Sequence, residues 1–104
     1  MRELKFYVNG QRIKKDNTCD FSGIVAGTKG YLEAVFCFGS DWSGMAKVAV
    51  FTRLKEQHPA KIIKNKCIIP HEALTWRDFS VQVIGEKDGI RICTNQEIVE
   101  QEVI

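Results

Sequence analysis

The sequence has no long hydrophobic run and no leader-like segment. Its longest uninterrupted apolar stretches, at 34–38 and 48–51, are only a few residues long, whereas a membrane-spanning helix needs about 20 apolar residues. The first residues alternate charged and apolar side chains, without the continuous hydrophobic segment or the small-residue cleavage site of a signal peptide. We therefore predict no membrane association and no export through a signal peptide.

Glycine-rich phosphate loops are also missing. Gly23, Gly27 and Gly30 are close together in the sequence, but their spacing fits neither the G-x-G-x-x-G pattern nor the P-loop. Nucleotide binding is not predicted, and we expect the protein to need no cofactor.

The four cysteines lack the short spacing of metal-binding knuckles, since the nearest two, Cys19 and Cys37, are 18 positions apart. In a reducing cytosol we expect them to remain free thiols. A zinc site would need distant ligands to converge by an accident of folding, and no metal site is predicted. The side chains concerned are Cys37, Cys67, Cys93 and His71.

The composition fits one small globular domain. A chain of 104 residues with 44% hydrophobic residues can fill a single core without disulfides. Its net charge of +2 arises from 15 basic and 13 acidic residues that are spread along the whole length. This balance does not indicate a polyanionic partner. We predict a single domain over residues 1–104.

Apolar and polar residues alternate with a period of two over much of the chain, between glycine and asparagine turns. Leu4, Phe6 and Val8 alternate with polar residues, and Asn9-Gly10 offers the two positive-φ positions of a type I′ hairpin turn. The polar residues 54–60 are predicted to form an exposed loop. Further strands are predicted at 11–15, 31–38, 47–53, 79–84, 90–94 and 97–104, with a short one at 24–26 and a second hairpin at 61–69.

At most one or two turns of helix fit between Pro70 and Leu74. No helix of crossover length is predicted, so the pattern indicates an all-β fold with seven or eight short strands and one short helical turn near residues 70–75. The spacing of the turns favours a β-sandwich over a doubly wound fold, and we prefer a sandwich to a small Greek-key barrel. In the strand at 31–38, the side chains predicted to face the core are Leu32, Ala34, Phe36 and Phe38.

Cys67 and His71 are the nearest approach to a catalytic pair, because a thiolate and an imidazole can act as nucleophile and base. However, Cys67 alternates with Ile69 at an apolar strand end, where a cysteine usually behaves as a small buried hydrophobe. No other Ser or Cys lies in a nucleophile-elbow context. We predict no catalytic residues and therefore no enzymatic activity.

Two clusters of basic residues would form a stripe if they lay on one face of the protein. Lysines on exposed strands also protect sheet edges against aggregation, and the neighbouring aromatic residues fall on core-facing phases. Nucleic-acid binding is therefore not predicted. The clusters are Arg12, Lys14 and Lys15 in one hairpin and Lys61, Lys64 and Lys66 in the other.

Two tryptophans lie in loops, where a Trp either closes one end of a core or anchors an interface. Trp42 is predicted to be a core plug, while both alternatives remain open for Trp76. The residues that the core pattern explains least are predicted to form a protein interface. They are Trp76, Arg77, Val99 and Val103.

Several segments resemble those of minor structural proteins of phages and prophages of Gram-positive bacteria. They are YLEAVFCFGSDWSG at 31–44, followed by Lys47 and AVFT at 49–52, then CIIP at 67–70 with Glu72 and Leu74, FSVQVIG at 79–85 and RICTN at 91–95. Over residues 31–104 they are similar to the N-terminal domain of upper baseplate proteins. The resemblance implies a small immunoglobulin-like β-sandwich that attaches a fibre or receptor-binding part to the tail without catalysis.

Because the sequence ends at Ile104, we expect no following coiled coil, linker or receptor-binding domain, which is a departure from the family pattern. We expect a virion structural module that assembles into, or docks on, the tail or baseplate, with other tail proteins or further copies in a homo-oligomer as its partners. The alternative is a small phage-encoded inhibitor that binds a host protein such as a defence nuclease. The expected location is the virion, or the bacterial host cytoplasm before assembly.

Overall fold

A computed structural model describes residues 1–103 and contains nine β-strands and two 3₁₀ turns. The strands form two sheets around one core, which confirms the predicted all-β sandwich. The first 3₁₀ turn is Ser40–Trp42, and the second, His71–Leu74, lies at the predicted helical turn. The strands are β1 (Arg2–Asn9), β2 (Arg12–Lys15), β3 (Leu32–Phe38), β4 (Ala46–Arg53), β5 (Glu56–Lys61), β6 (Lys66–Ile68), β7 (Asp78–Lys87), β8 (Ile90–Cys93) and β9 (Glu97–Glu100).

The four-stranded sheet has the order β2-β1-β3-β6. β1 and β2 form the predicted opening hairpin, but its two-residue loop is Gly10-Gln11, one residue later than predicted. Only Gly10 has a positive φ there, of 57°, which is typical of a type II′ turn with glycine at its first central position. β1 then pairs with β3 in parallel, so residues 16–31 connect β2 on one side of β1 to β3 on its other side, at the end of the sheet where β1 begins.

The five-stranded sheet is built around β4 and β7. Its order begins β5-β4-β7. On the other side of β7, β8 pairs with one end of that strand and β9 pairs with the other end. β7 has ten residues and is therefore long enough to pair with both. The predicted hairpin between β7 and β8 is confirmed. Asp88 and Gly89 at its turn have φ values of 50° and 80°, as a type I′ turn requires.

The core lies between the two sheets and is rich in aromatic rings. Phe6 stacks on Phe36 with 5.7 Å between the ring centres, and Phe36 stacks on Phe38 at the same distance. The ring of Phe38 then lies 5.5 Å from that of Trp42. The predicted core-facing residues of β3 are buried or pack against the core, which confirms them: Leu32, Ala34, Phe36 and Phe38.

One edge of the sandwich is closed by separate hydrogen bonds instead of by strand pairing. The backbone N–H of Asn95 donates to the carbonyl of Gln11, and the backbone N–H of Lys15 donates to the carboxylate of Glu97, both at 3.2 Å. The amide of Asn95 accepts a hydrogen bond from the backbone N–H of Ile13 (2.8 Å) and donates one to its carbonyl (3.2 Å). Asn95 thereby gives the backbone of Ile13, at the free edge of β2, the hydrogen-bond partners that a neighbouring strand would provide. These hydrogen bonds do not form a continuous ladder between two strands. The fold is therefore a sandwich whose two sheets are joined by hydrogen bonds at one edge, and not a closed barrel.

The predicted exposed loop at 54–60 is wrong. Residues 56–61 form β5, which pairs with β4 at the edge of the five-stranded sheet and brings the number of strands to nine. Its side chains are mostly solvent-exposed, so the segment has no apolar alternation to mark it. Pro59 is tolerated because an edge strand does not need every backbone N–H for pairing.

The second predicted hairpin, at 61–69, is only partly correct. A tight turn exists at Lys64 and Asn65, both with positive φ, and Ile63 forms a single bridge with Lys66. However, β5 and β6 belong to different sheets, so this turn carries the chain from one sheet to the other.

The last predicted strand, at 97–104, is shorter in the structure. β9 ends at Glu100, and Glu102 then forms one parallel bridge with Val25. That bridge is what remains of the short strand predicted at 24–26. Ile104 lies outside the described residues.

Candidate interaction surfaces

Trp42 closes one end of the sandwich, which confirms its prediction as a core plug. Its side chain is fully buried, and its indole Nε1 donates a hydrogen bond to the carbonyl of Gly10 (2.8 Å). Gly85 lies directly against the ring, since a Cβ there would come within 2.6 Å of Cζ3 of Trp42. The indole therefore fills the space that a side chain at position 85 would need.

Trp76 lies at the opposite end of the sandwich and is half-buried. The guanidinium carbons of Arg77 and Arg53 lie 5.1 and 6.0 Å from the centre of its ring, within the range of cation–π contacts. Arg53 also pairs with Glu56 at 3.0 Å. Trp and Arg are enriched at binding hot spots, so this guanidinium–indole cluster of Arg53, Trp76 and Arg77 is one candidate interaction surface.

The other two predicted interface residues differ in accessibility. Val99 is fully buried beside Phe79, so its prediction as an interface residue is wrong. The alternation of β9 turns Val99 inward and leaves its neighbour Ile98 on the outside, 56% exposed. Val103 is exposed, and its role in an interface stays a prediction, as do those of Trp76 and Arg77.

Cys67 has the environment of a core residue. Burial in β6 raises the pKa of its thiol to about 12, and the negative charge of Glu33 acts in the same direction. Because the thiolate is the nucleophilic form, this shift disfavours attack by Cys67 at neutral pH. His71 is exposed, and its Nε2 faces Oε1 of Glu72 at 3.7 Å.

Within residues 1–103, no three His, Cys, Asp or Glu side chains are grouped so that they could hold a metal ion. The cysteines are free thiols that differ in accessibility: Cys37 is exposed, Cys67 is buried, and Cys19 and Cys93 are intermediate. No helix in this described part of the chain is both long enough and apolar enough to cross a membrane.

The basic residues of the two predicted clusters are divided between the sheets. Arg12 and Lys14 lie on the outer face of the four-stranded sheet, with Lys66 at its far edge. Lys61 belongs to the five-stranded sheet, and Lys64 lies in the turn between the sheets. They therefore do not form one stripe.

The outer face of the five-stranded sheet has a centre without charge, which we call the neutral face. Val50 in its middle is only 8% exposed although it lies outside the core cluster, because Pro59 and Gln82 flank it on the neighbouring strands. The other positions between its apolar residues hold neutral polar side chains. The apolar members are Val48, Val50, Pro59, Ile84, Cys93 and Ile98.

Charged residues border the neutral face at its ends. Lys61 on β5 stands at one corner, beside Val48. Glu100 on β9 stands at the diagonally opposite corner, beside Asp78. The face is not flat. Ile98 protrudes near Glu100, and an open depression of ≈ 520 Å³ lies near Lys61. The depression is lined by apolar and charged side chains together: Met45, Ala46, Lys47, Val48, Lys61, Ile62, Ile84, Glu86 and Arg91.

The outer face of the four-stranded sheet, which we call the charged face, is different. Lys5 faces Val35 across β1 and β3, and Glu3 faces Glu33 in the next outward row. Lys14 stands beside Tyr7. Charges of both signs thus occupy the centre of this face, as expected of a surface that stays in contact with water.

The neutral face was not among the predicted sites. The sequence carries a sign of it that is not specific, since 48–51 and 81–84 interrupt the strict alternation of apolar and polar residues but 34–38, in β3 of the other sheet, does so too. Strands that are apolar on both phases are typical of sheets with both faces covered. Recognising that sign requires knowing that β4 and β7 are neighbours.

Comparison with known proteins gives no match to a family model, to a curated protein or to a solved structure.

Proposed function

We propose that this protein is a non-catalytic structural module of a phage or prophage that assembles into, or docks on, the virion tail or baseplate. Its partners would be other tail proteins or further copies of itself, and its location the virion, or the host cytoplasm before assembly. The proposal rests on the resemblance of residues 31–104 to the immunoglobulin-like domain of upper baseplate proteins.

The neutral face is the observation that supports an assembly role. A charge-free centre bordered by charges is the usual arrangement of a protein interface, with an apolar core and a polar rim. It lies on regular strands above a packed core, so its shape is fixed before any partner arrives. A preorganised surface loses little conformational entropy on binding, which suits a structural component.

The test is the composition of purified particles from the phage or prophage that encodes the chain. We expect the protein to be present after density-gradient purification at a fixed number of copies per tail, measured by quantitative mass spectrometry. Tail-less particles of the same phage are the control and should lack it. Absence from intact particles would contradict the proposal.

A second candidate function is a phage-encoded inhibitor of a host protein such as a defence nuclease. The guanidinium–indole cluster supports this alternative, since it lies away from the neutral face and presents the residue types that anchor hetero-complexes. Saturating binding of a purified defence nuclease, abolished by Trp76→Ala and kept in Val48→Glu, would favour the inhibitor. Nuclease activity unchanged at excess protein would count against it.

A further inference from the structure

The neutral face favours association of two copies in three respects, of which the first two concern its diagonal corners. The first is charge. Lys61 and Glu100 stand at diagonally opposite corners, and a two-fold axis that lies in the plane of the face, perpendicular to the diagonal between them, turns a second copy face to face and exchanges these corners. Two copies related in this way would therefore place each lysine near a glutamate of the other copy. Isologous dimers repeat every contact twice in this manner.

The second respect is relief. Ile98 protrudes from β9 one outward row from Glu100, and the depression lined by Val48, Ile62 and Ile84 adjoins Lys61. The same rotation brings the protruding isoleucine of each copy over the depression of the other. An exposed aliphatic side chain that packs against the apolar part of the depression loses contact with water, which favours association.

The third respect is extent. With ~4.8 Å between strands and ~3.4 Å per residue, the face from Asp78 to Glu86 across four strand positions measures roughly 27 Å by 19 Å. This is about 500 Å² in plan, compared with the ~800 Å² that each partner buries in a standard interface. The face is large enough for specific association but smaller than an obligate interface, so we expect a dissociation constant in the micromolar range.

From these features we infer that the neutral face binds a second copy of this chain, related by a two-fold axis that lies in the plane of the interface, perpendicular to the diagonal from Lys61 to Glu100. The two sheets pack face to face with their strands crossing at a steep angle, as in orthogonal sheet packings. Ile98 of each copy enters the depression of the other, and Lys61 pairs with Glu100 across the interface. The proposed function would explain what the dimer is for in the virion, but the inference that the chain dimerises does not depend on it.

The charge pair provides a test that only a second copy can satisfy. In Lys61→Glu, and separately in Glu100→Lys, both pairs of the dimer become repulsive, and we expect about tenfold weaker association of each variant alone. An equimolar mixture of the two variants should associate at least as well as the unaltered protein, because the mixed dimer restores both pairs. Sedimentation equilibrium of the full chain at low salt measures all three samples.

The isoleucine contact has a matched control in the same chain. Ile98→Ala should weaken association about tenfold, as expected for a side chain buried at the centre of a contact. Ile90→Ala should leave it unchanged, since Ile90 is similarly exposed (60% against 56%) but lies on the opposite phase, opposite Lys87 at the hairpin end. Circular dichroism checks that every variant keeps its fold.

Several results would overturn the inference: a monomer throughout the micromolar range, assemblies that grow without closing, or no recovery of association in the mixed variants. These results are independent of the virion test. A chain found in particles but monomeric alone would contradict only the dimer, while a dimer absent from particles would contradict only the proposed function.

Discussion

The two sheets share one core, but their outward surfaces differ in where the charged side chains lie. On the four-stranded sheet, the charged face carries Lys5 and Glu33 in its centre, between apolar neighbours. On the five-stranded sheet, the neutral face keeps Val50 in its centre and places its charges at the ends. A charged side chain in mid-sheet keeps water at the surface, whereas a charge-free centre loses water easily when a partner covers it.

The difference arises from the strands that form the middle of each sheet. β1 follows strict alternation, so one phase is buried and the other is polar. β4 and β7 lie side by side and hold apolar residues on both phases, at 48–51 and 81–84. β3 also holds apolar residues on both phases, at 34–38, but its outward Val35 and Cys37 stand beside Lys5 and Tyr7 of β1. Patterning thus distinguishes a strand with one covered face from a strand that can have two.

The largest expected effect concerns the core on which both faces rest. Trp42→Ala removes a fully buried indole and its hydrogen bond to Gly10, and should lower the free energy of unfolding by about 3–5 kcal/mol. Trp76→Ala is the matched control at the other end and should cost about 1–2 kcal/mol, because this side chain is only half-buried. Urea denaturation followed by circular dichroism measures both. Equal costs would show that the two ends of the sandwich are not distinct.

The next effect concerns the edge where the hydrogen bonds of Asn95 join the two sheets. Asn95→Ala removes both hydrogen bonds to Ile13, and we expect a loss of about 1–3 kcal/mol, since the backbone groups at the edge of β2 lose their partner. Gln96→Ala, at the exposed neighbouring amide, should change stability by less than about 0.5 kcal/mol. A neutral Asn95→Ala would mean that this side chain is not needed at the edge, where the bonds from Asn95 N–H to the Gln11 carbonyl and from Lys15 N–H to the Glu97 carboxylate remain.

A matched pair of valines separates the two faces directly. Val48 and Val35 are both half-buried, both point outward and both lie beside a lysine on a neighbouring strand. Val48→Glu places a charge in the neutral face and should weaken self-association tenfold or more, a change of about 1.4 kcal/mol or above. Val35→Glu adds a charge to a face that already has several and should leave association unchanged. Analytical ultracentrifugation compares them, and equal effects would remove the distinction between the faces.

Much of the fold could be predicted because local pattern and burial agree. The core phases of β1 and β3 follow from alternation, and the turn at Asp88-Gly89 follows from residue types that tolerate positive φ. β5 could not be predicted from its own residues, because it is an exposed edge strand whose existence depends on pairing with β4.

The site was harder to predict than the fold, and Val99 illustrates the reason. In 97–103 both phases contain apolar residues, so alternation does not decide whether Ile98 or Val99 faces the core. Pairing with Phe79 decides it and turns Val99 inward. Likewise, the diagonal relation of Lys61 to Glu100 follows from the order of strands that are distant in sequence, and no local motif indicates it.

The most direct test of the central claim uses two cysteines of the unaltered chain. Cys93 lies on the neutral face and Cys37 on the charged face, and both are free. Their alkylation rates with iodoacetamide can be measured by mass spectrometry after brief labelling in a thiol-free buffer, across nanomolar to high micromolar protein. We predict that the rate at Cys93 falls several-fold as the protein associates, while the rate at Cys37 stays constant. Constant rates at both cysteines, or protection of Cys37 instead, would contradict the assignment of the neutral face as the association surface.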